Sequence, residues 1–478
     1  MKKLICLFLM LSCFQVFCQT SLDQQLFDNK QNQKIDNESH YVVALTSSIL
    51  PSALFYSWNN FILQAGWAKL EDGELREFYN RELSYDNDWV STNFVGHPYQ
   101  GSLYYMSGRN ANLNMFESFA ISVLGSYVWE YICEANDPSI NDMAYTTIGA
   151  FALGEMLYKL SNEVSDKYYG FSYILNPINM YADLFLGTKR HNNQNNIHSL
   201  DLWIGVSNAY GQGGPLSSEY NKIIEKTPFL AKTGVSVVYN DPYGHVSKEP
   251  YDQFELIVFG GIGPGNGVTQ EKKLEEQIAY NTTLFSNGVL KSYAKDISDF
   301  NEITYGFCML YDYTWNNFYT FTSLAPGVMF NQRIKNIEKN NTFAYQLALG
   351  FNVLGITEFN YYRRRLIATL AGRPFRSYNY TFGYELCGKV EFDFNQKHLL
   401  NFVTHSYASS NFHDILEDNY TGWSFFSLNQ LSYEYLISKK VAAGVKDNFY
   451  INYAIYNSLP SYFSLQNEIE LYFKWYLY

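Results

Sequence analysis

From about residue 197 to the end of the chain, apolar and polar residues alternate with the period of two that is typical of β-strands. Residues 302–315 and 382–395 show the pattern most plainly. The apolar face of the first segment consists of Ile303, Tyr305, Phe307, Met309, Tyr311, Tyr313 and Trp315. The polar face of the second segment consists of Gly383, Glu385, Cys387, Lys389, Glu391, Asp393 and Asn395. Both segments therefore predict long amphipathic strands.

The length of these strands indicates a membrane protein. Strands in soluble sheets usually have about 5–6 residues, whereas a tilted strand that crosses a bilayer needs about 9–11. In such a strand the apolar face contacts lipid and the charged face lines a wet lumen. The alternating segments together predict an antiparallel transmembrane β-barrel of about 12 strands, an even number as closure favours.

The last segment, residues 468–478, alternates in the same way and ends in an aromatic residue, Tyr478. This pattern resembles the signal that outer-membrane barrels present to their insertion machinery, which is therefore an expected partner. Short polar runs, such as residues 395–398 and 438–440, predict tight turns between paired strands.

The N-terminal third has a different period. Between about residues 41 and 187 apolar residues recur at helical spacing, and residues 112–135 and 138–166 predict helices. Asp137 and Pro138 suit the start of the second helix. Gly149 and Gly154 would let that helix approach a neighbour closely. After the first residues, no uninterrupted run of about 20 apolar residues predicts a membrane-spanning helix, and residues 42–56 contain Pro51.

These patterns predict a mainly β fold with an α-helical N-terminal part, divided into four regions. Lys2 and Lys3 precede a short apolar run, which predicts a signal peptide at residues 1–18. A polar leader follows at residues 19–38. We then expect a helical domain at residues 39–190 and the barrel at residues 191–478, in the outer membrane of a Gram-negative bacterium.

Composition supports this assignment and excludes some alternatives. The chain has 43 Tyr, 36 Phe and 8 Trp, and aromatic side chains form the girdles of membrane barrels. The net charge of −12 argues against nucleic acid as a partner. Only Cys133, Cys308 and Cys387 follow the predicted signal peptide. Their wide separation and odd number argue against a disulfide framework and against a metal site made of clustered cysteines.

Candidate chemistry lies in the helical region, where ionisable residues recur among apolar ones. We identify His97, Glu130, Glu134 and Asp142 as candidate catalytic residues, with Asn93, Arg109, Glu117 and Glu155 as supporting residues. One histidine with several carboxylates can place a general base or hold a divalent cation. Alternatively, these residues form a polar seam in which Arg109 pairs with a glutamate and His97 caps a helix. No cofactor is expected apart from that cation, and no zinc-hydrolase or nucleophile-elbow motif is present in the sequence.

The same region resembles a known bacterial family. The matching positions are Asn87-Asp88-Trp89, Thr92-Asn93-Phe94, Gly96-His97-Pro98-Tyr99-Gln100-Gly101-Ser102, Tyr104-Tyr105, Glu117-Ser118, Trp129-Glu130, Glu134, Pro138-Ser139-Ile140-Asn141-Asp142 and Gly154-Glu155. This set is similar to the domain of unknown function 3943. The resemblance covers residues 87–161 and implies an envelope protein with a barrel downstream, without implying an activity.

A basic cluster stands out in this acidic chain. Arg363, Arg364 and Arg365 follow two tyrosines. Guanidinium groups bind phosphate in bidentate fashion, so this cluster could contact lipopolysaccharide phosphates. Alternatively, it is a charged rim at the membrane boundary.

Three functional hypotheses follow. In the first, the barrel is non-enzymatic and serves envelope maintenance or transport, with the helical domain as a lumen plug or periplasmic adaptor and outer-membrane lipids as partners. In the second, the protein is an envelope enzyme that acts on a lipid or glycan headgroup, with His97 as base. In the third, it is a scaffold for surface assembly.

Overall fold

Twelve antiparallel strands form a closed barrel in which each strand pairs with its sequence neighbours and β1 pairs with β12. The computed structural model describes residues 39–477, with gaps at 70–79, 86–87, 89, 166–167, 187–194, 219–221, 265–277, 317–318, 337, 364–365, 367–377 and 414–420. The strands are β1 (Ile197–Pro215), β2 (Ile223–Tyr239), β3 (Phe254–Pro264), β4 (Ile278–Ile297), β5 (Asn301–Asn316), β6 (Thr320–Asn336), β7 (Asn341–Glu358), β8 (Tyr378–Phe394), β9 (His398–His413), β10 (Gly422–Ser438), β11 (Val441–Tyr456) and β12 (Tyr462–Tyr476). The predicted barrel and its strand number are confirmed. The signal peptide and the leader predicted at residues 1–38 lie outside the described residues.

The faces of the strands are those that the alternation predicts. On β12, Ile469, Leu471 and Phe473 are 51%, 59% and 52% exposed and point outward. Glu468 and Glu470, which alternate with them, point inward and are buried. An outer wall of exposed apolar side chains around a polar lumen is the arrangement that lipid requires of a barrel.

The two ends of the barrel differ in their connections. At the end that we call the turn end, β4–β5, β6–β7, β8–β9 and β10–β11 are joined by residues 298–300, 337–340, 395–397 and 439–440. Asn395 and Gln396 both have φ of 56°, as a type I′ hairpin turn requires. The turn end also carries the start of β1 and the end of β12. The opposite end, the loop end, carries longer connections such as residues 359–377.

The N-terminal part consists of helices. They are α1 (Tyr41–Ser57), α2 (His97–Asn110), α3 (Met115–Val128), α4 (Ile140–Ser165), α5 (Tyr169–Leu175) and α6 (Ile178–Leu186), and a short α7 (Asn360–Arg363) lies between β7 and β8. A wider π-helical turn continues α1 to Ile62, and another continues α3 to Cys133. The start of α3 is fixed by a capping box between Asn114 and Glu117.

Small residues bring α2 and α4 together. A Cβ atom on Gly101 would lie 1.8 Å from the Thr146 carbonyl oxygen, and one on Gly149 would lie 2.7 Å from Pro98. Gly154 lies against Tyr105 in the same way. His97 meets Asp142 near the starts of the two helices and Arg109 meets Glu155 further along both, so α2 and α4 run parallel. Gly149 and Gly154 therefore have the close-packing role that the sequence predicts.

Helix α4 lies against the outer wall of the barrel. Near its start Tyr145 packs with Phe94, in its middle Ala152 contacts the wall, and near its end Met156 and Leu160 do so. The barrel residues beneath these helical residues, from the loop end to the turn end, are Tyr378, Tyr380, Ile356, Tyr313, Tyr311, Leu324, Leu256, Val237, Phe254 and Tyr239. A helix of 26 residues is roughly 39 Å long, which is enough to follow the wall between the two ends.

This docking contradicts the lumen plug, one of the two alternatives predicted for the helical domain, whereas the periplasmic adaptor stays a prediction. Tyr311 and Tyr313 flank Asp312 on β5, and Asp312 is the residue of the three that faces the lumen, where it contacts His405 of β9. The residues that contact α4 therefore lie on the outward face. The wall beneath α4 is apolar and can bury a helix without leaving charges unpaired, whereas the lumen is lined with charged groups.

Candidate functional site

The structure brings together two of the four candidate catalytic residues. His97 begins α2, and its Nε2 atom lies 3.7 Å from Oδ2 of Asp142 in the first turn of α4. The Nδ1 atom of His97 lies 3.2 Å from the Thr146 hydroxyl. All three side chains are buried. The close approach of α2 and α4 therefore creates this pair.

Glu130 is linked to the pair through a chain of hydrogen bonds. Its carboxylate accepts a hydrogen bond of 2.9 Å from the Ser139 backbone N–H. The Ser139 hydroxyl donates to the Asn141 amide oxygen at 2.8 Å, and the Asn141 amide donates to Asp142 at 2.7 Å. These contacts hold the start of α4 against the end of α3.

The remaining candidates have other partners. Glu134 accepts a hydrogen bond of 2.7 Å from the Trp129 indole N–H. Glu155 pairs with Arg109 at 2.9 Å, as the polar-seam alternative describes for an arginine and a glutamate.

The last two supporting residues have structural contacts. Glu117 completes the capping box of α3 and accepts a hydrogen bond of 2.6 Å from Tyr41. Asn93 donates to the Tyr378 hydroxyl at 3.1 Å on the outer wall of the barrel, so it helps to dock the helices. The basic cluster of Arg363, Arg364 and Arg365 cannot be placed in the same way, because Arg364, Arg365 and the Arg363 side chain lie outside the described residues. Its lipid-phosphate role stays a prediction.

The lumen contains more closely spaced charged groups than the helical domain. Lys232 lies 2.8 Å from Glu468 and 3.1 Å from Glu470. Lys474 bridges Asp201 and Glu434 at 3.2 and 3.3 Å. Lysines and carboxylates from different strands thus compensate each other's charge inside the wall.

The first part of the β2–β3 connection, residues 241–243, enters the lumen at the turn end. Asp241 pairs with Arg333 at 2.6 Å, and the Pro242 carbonyl accepts a hydrogen bond of 3.0 Å from Thr304. The Tyr243 hydroxyl donates to Glu391 at 3.0 Å. Burial acts to raise the pKa of Asp241, but the hydrogen bonds and charge of Arg333 outweigh it and lower that pKa. The β2–β3 connection, rather than the helical domain, thus narrows the lumen at the turn end.

An aromatic cluster closes the lumen towards the loop end. We call it the aromatic closure, and it consists of Tyr319, Phe321, Tyr407, Phe426, Leu428 and Tyr450. The rings of Phe321 and Tyr407 lie 3.7 Å apart, and those of Tyr319 and Tyr450 lie 3.8 Å apart. Beyond it, Asn360 of α7 donates to the Tyr456 hydroxyl at 3.1 Å and covers the loop end.

Between the turn end and the aromatic closure lies a cavity of about 360 Å³. His198 and Tyr476 line it near the turn end, and Leu428 of the aromatic closure lines its other end. On the other side of the closure a recess of about 20 Å³ is lined by Tyr319 and Phe426. The closure therefore divides the lumen.

A second group of potential ligands lies in the wall of the cavity. It consists of Asp312 of β5, Glu385 and Cys387 of β8, and His405 of β9, whose ligand atoms all lie within 4.8 Å of one another. We call it the lumen tetrad. The spacing of the cysteines excludes only a site made of cysteines, and here one cysteine joins residues of other types. The alternation along the strands places all four residues on the lumen face and so predicts the direction of their side chains. It does not predict that the side chains meet, because their approach depends on barrel closure.

Comparison with known proteins identifies the helical segment. Residues 82–182 match the model of a family described as a domain of unknown function (DUF3943). Over these residues the predicted resemblance is confirmed. The matched residues include His97, Asp142 and most of the residues that dock the helices on the barrel. Among curated proteins, none has a sequence that matches the chain.

The barrel is similar to solved structures of outer-membrane proteins. A Pseudomonas aeruginosa FadL homologue is 9% identical, with 59% of this chain and 91% of that chain covered and a TM-score of 0.24. The NanC porin is 11% identical, with coverage of 56% and 98% and a TM-score of 0.25. The Pseudomonas putida toluene transporter TodX is 6% identical, with coverage of 58% and 89% and a TM-score of 0.25. These similarities concern the kind of fold alone.

The ion pairs of the lumen lead to a stability prediction. Lys232→Met leaves the buried Glu468 carboxylate without its lysine, and breaking a buried pair in this way costs about 3–5 kcal/mol. We expect the free energy of unfolding in detergent, measured by denaturant titration, to fall accordingly. Adding Glu468→Gln should recover a large part of the loss, because the carboxylate is then neutral. Lys439→Met, in the exposed β10–β11 turn, is the control, and an equal loss there would contradict the prediction.

Proposed function

We propose that this protein is a gated channel of a Gram-negative outer membrane that takes small polar solutes into its lumen. The observation that carries this proposal is the charged cavity of about 360 Å³ that ends at the aromatic closure. Charged walls stabilise hydrated polar solutes, and apolar constrictions gate pores by excluding water. The lumen has both features, because the charged cavity is followed by the aromatic closure.

The orientation of the barrel supports a cavity that faces the periplasm. In outer-membrane barrels the short turns are periplasmic and the longer loops extracellular. By that rule the turn end faces the periplasm and α7 faces outward. Residues 241–243 and the aromatic closure then act as an inner and an outer constriction. The amphipathic β12 strand is the segment that the insertion machinery would recognise.

Lipid is the proposed neighbour of the helical domain as well as of the barrel. The helix Tyr41–Ile62 has 22 residues and contains an apolar window of 18 residues, so its length and composition would allow it to cross a bilayer. Residues 42–56, which the sequence pattern treats as too short, are therefore part of a longer helical segment. Val42, Ile49 and Trp58 are exposed on this helix. Since α4 covers the wall that lipid would otherwise contact, we propose that the helices stand beside the barrel in the bilayer.

The gate can be tested with two neighbouring phenylalanines on β10. Phe426 belongs to the aromatic closure and is 6% exposed, whereas Phe425 points outward and is 42% exposed. Phe321→Ala/Phe426→Ala removes two rings from the closure, so we expect single-channel conductance in planar bilayers to rise several-fold. Phe425→Ala should leave conductance at the wild-type level. A double variant that inserts and folds but conducts no better than Phe425→Ala would refute the gate.

A second candidate function rests on His97 and Asp142. A buried histidine beside a carboxylate is the arrangement of an oriented general base. This pair lies near the loop end of α4, on the outer side of the barrel wall. A reaction on a lipid or glycan headgroup in the outer leaflet would suit that place.

Lipid analysis tests the second candidate. A strain that lacks the gene is complemented with wild type, His97→Gln, Asp142→Asn or Glu134→Gln, and its envelope lipids are analysed by mass spectrometry. If the pair is catalytic, His97→Gln and Asp142→Asn should reproduce the lipid profile of the deletion strain. Glu134 accepts its hydrogen bond from Trp129 instead, so Glu134→Gln should restore the wild-type profile. Full restoration by His97→Gln would remove this candidate.

A further inference from the structure

The lumen tetrad combines donor types that suit a transition metal. It offers one imidazole nitrogen, one thiol sulfur and two carboxylates. The Nδ1 atom of His405 lies 2.8 Å from Asp312 Oδ2 and 3.2 Å from Cys387 Sγ, and Cys387 Sγ lies 3.1 Å from Glu385 Oε1. We infer that Asp312, Glu385, Cys387 and His405 form a binding site for a divalent transition-metal ion, with Zn²⁺ as the best fit. Zinc accepts nitrogen, sulfur and carboxylate oxygen in four-coordinate sites.

The charges of the lumen carboxylates support this site. Eight other lumen carboxylates each have a lysine or arginine nitrogen at 3.4 Å or less; they are Asp201, Asp241, Glu255, Glu302, Glu391, Glu434, Glu468 and Glu470. Within the described part of the chain, the basic partner of Asp312 is His405, and no lysine or arginine pairs with Glu385. Asp312 is 1% exposed and Glu385 is 0% exposed. Two adjacent buried carboxylates are costly unless a cation or a proton lies between them. A divalent ion would supply the charge that lysine and arginine supply elsewhere in the lumen.

The neighbouring strands leave space for the tetrad. Asp312 on β5 approaches β8 across β6 and β7, where the lumen face carries Ala325, Ala348 and Gly350. A Cβ atom on Gly350 would lie 2.9 Å from the Ala325 methyl group. Small residues at these positions let side chains from non-adjacent strands meet.

A surrounding set of contacts orients the donors. The Tyr407 hydroxyl donates to Asp312, and the Ser323 hydroxyl donates to Glu385. The Phe285 ring stacks on the His405 ring at 4.1 Å with an interplanar angle of 17°. Hydrogen bonds to ligating carboxylates and fixed imidazole rings are the outer-shell features of protein metal sites.

The site is also accessible. Asp312, Cys387 and His405 line the cavity of about 360 Å³, so an ion can reach them from the turn end. Tyr407 belongs both to the aromatic closure and to the contacts of the tetrad. A bound ion would therefore tie β5 to β8 and β9 directly beneath the closure. Binding would release the Cys387 thiol proton, because thiolate is the form that ligates metal.

Cobalt binding to the purified, detergent-solubilised full-length protein is the test. After removal of metal with a chelator, Co²⁺ titration should saturate at about one ion per chain, with a near-ultraviolet absorption band from thiolate-to-metal charge transfer, and Zn²⁺ should displace it. Cys387→Ser should abolish the band, and His405→Gln should raise the Kd at least about tenfold. Cys308→Ser is the matched control, because Cys308 is a second buried lumen thiol that lies outside the tetrad. It should retain both the band and the affinity.

Two outcomes would overturn the inference. One is the absence of saturable Co²⁺ and Zn²⁺ binding by the wild-type protein, which would mean that the carboxylates share a proton instead. The other is equal loss in Cys308→Ser and Cys387→Ser, which would mean non-specific thiol binding. Folding of each variant is checked by its heat-dependent shift in gel mobility, and Tyr407→Phe, which keeps all four donors, should weaken binding less than His405→Gln. The assay measures binding without conductance, so its result is independent of the channel proposal.

Discussion

The two faces of the barrel arise because successive side chains along each β-strand point in opposite directions. Closure of the sheet pairs each strand with both neighbours, apart from irregular stretches such as that between Thr322 and Gly327, which leaves the side chains to decide what each face contacts. Apolar residues then lie outside and charged residues inside, strand after strand. The lumen ion pairs, the aromatic closure and the lumen tetrad all follow from inward positions, while the docking of α4 follows from outward ones.

The outer wall of the barrel forms two kinds of surface, one exposed and one covered by α4. Around part of the barrel it exposes residues such as Leu471 and Phe473, as a lipid-facing surface does. Across β2–β8 the same kind of surface is covered by α4, with Ala152 against Tyr311 and Leu324. Because both surfaces are apolar, a helical domain can replace lipid there without any change in the pattern of the strands. The buried pair of Arg109 and Glu155 then holds α2 to α4 behind this contact.

The period of two predicts the barrel and its two faces because it depends only on local geometry. It does not predict where the helical domain docks, since Tyr311 and Tyr313 have the same pattern whether lipid or α4 covers them. Helical spacing places His97 and Asp142 in one domain, but their approach depends on Gly101 and Gly149. The lumen tetrad is harder still to predict, because Asp312 and His405 are 93 positions apart and meet only across the closed barrel.

We conclude that the helical domain lies on the outer wall and not in the lumen. Disulfide cross-linking in native membranes tests it most directly, with Cys133, Cys308 and Cys387 replaced by serine. Ala152→Cys contacts Leu324→Cys across the interface, whereas the adjacent Ala325→Cys faces the lumen. The account predicts a disulfide between positions 152 and 324 and none between 152 and 325. Cross-linking to 325 alone would place the helix inside the barrel and contradict the account.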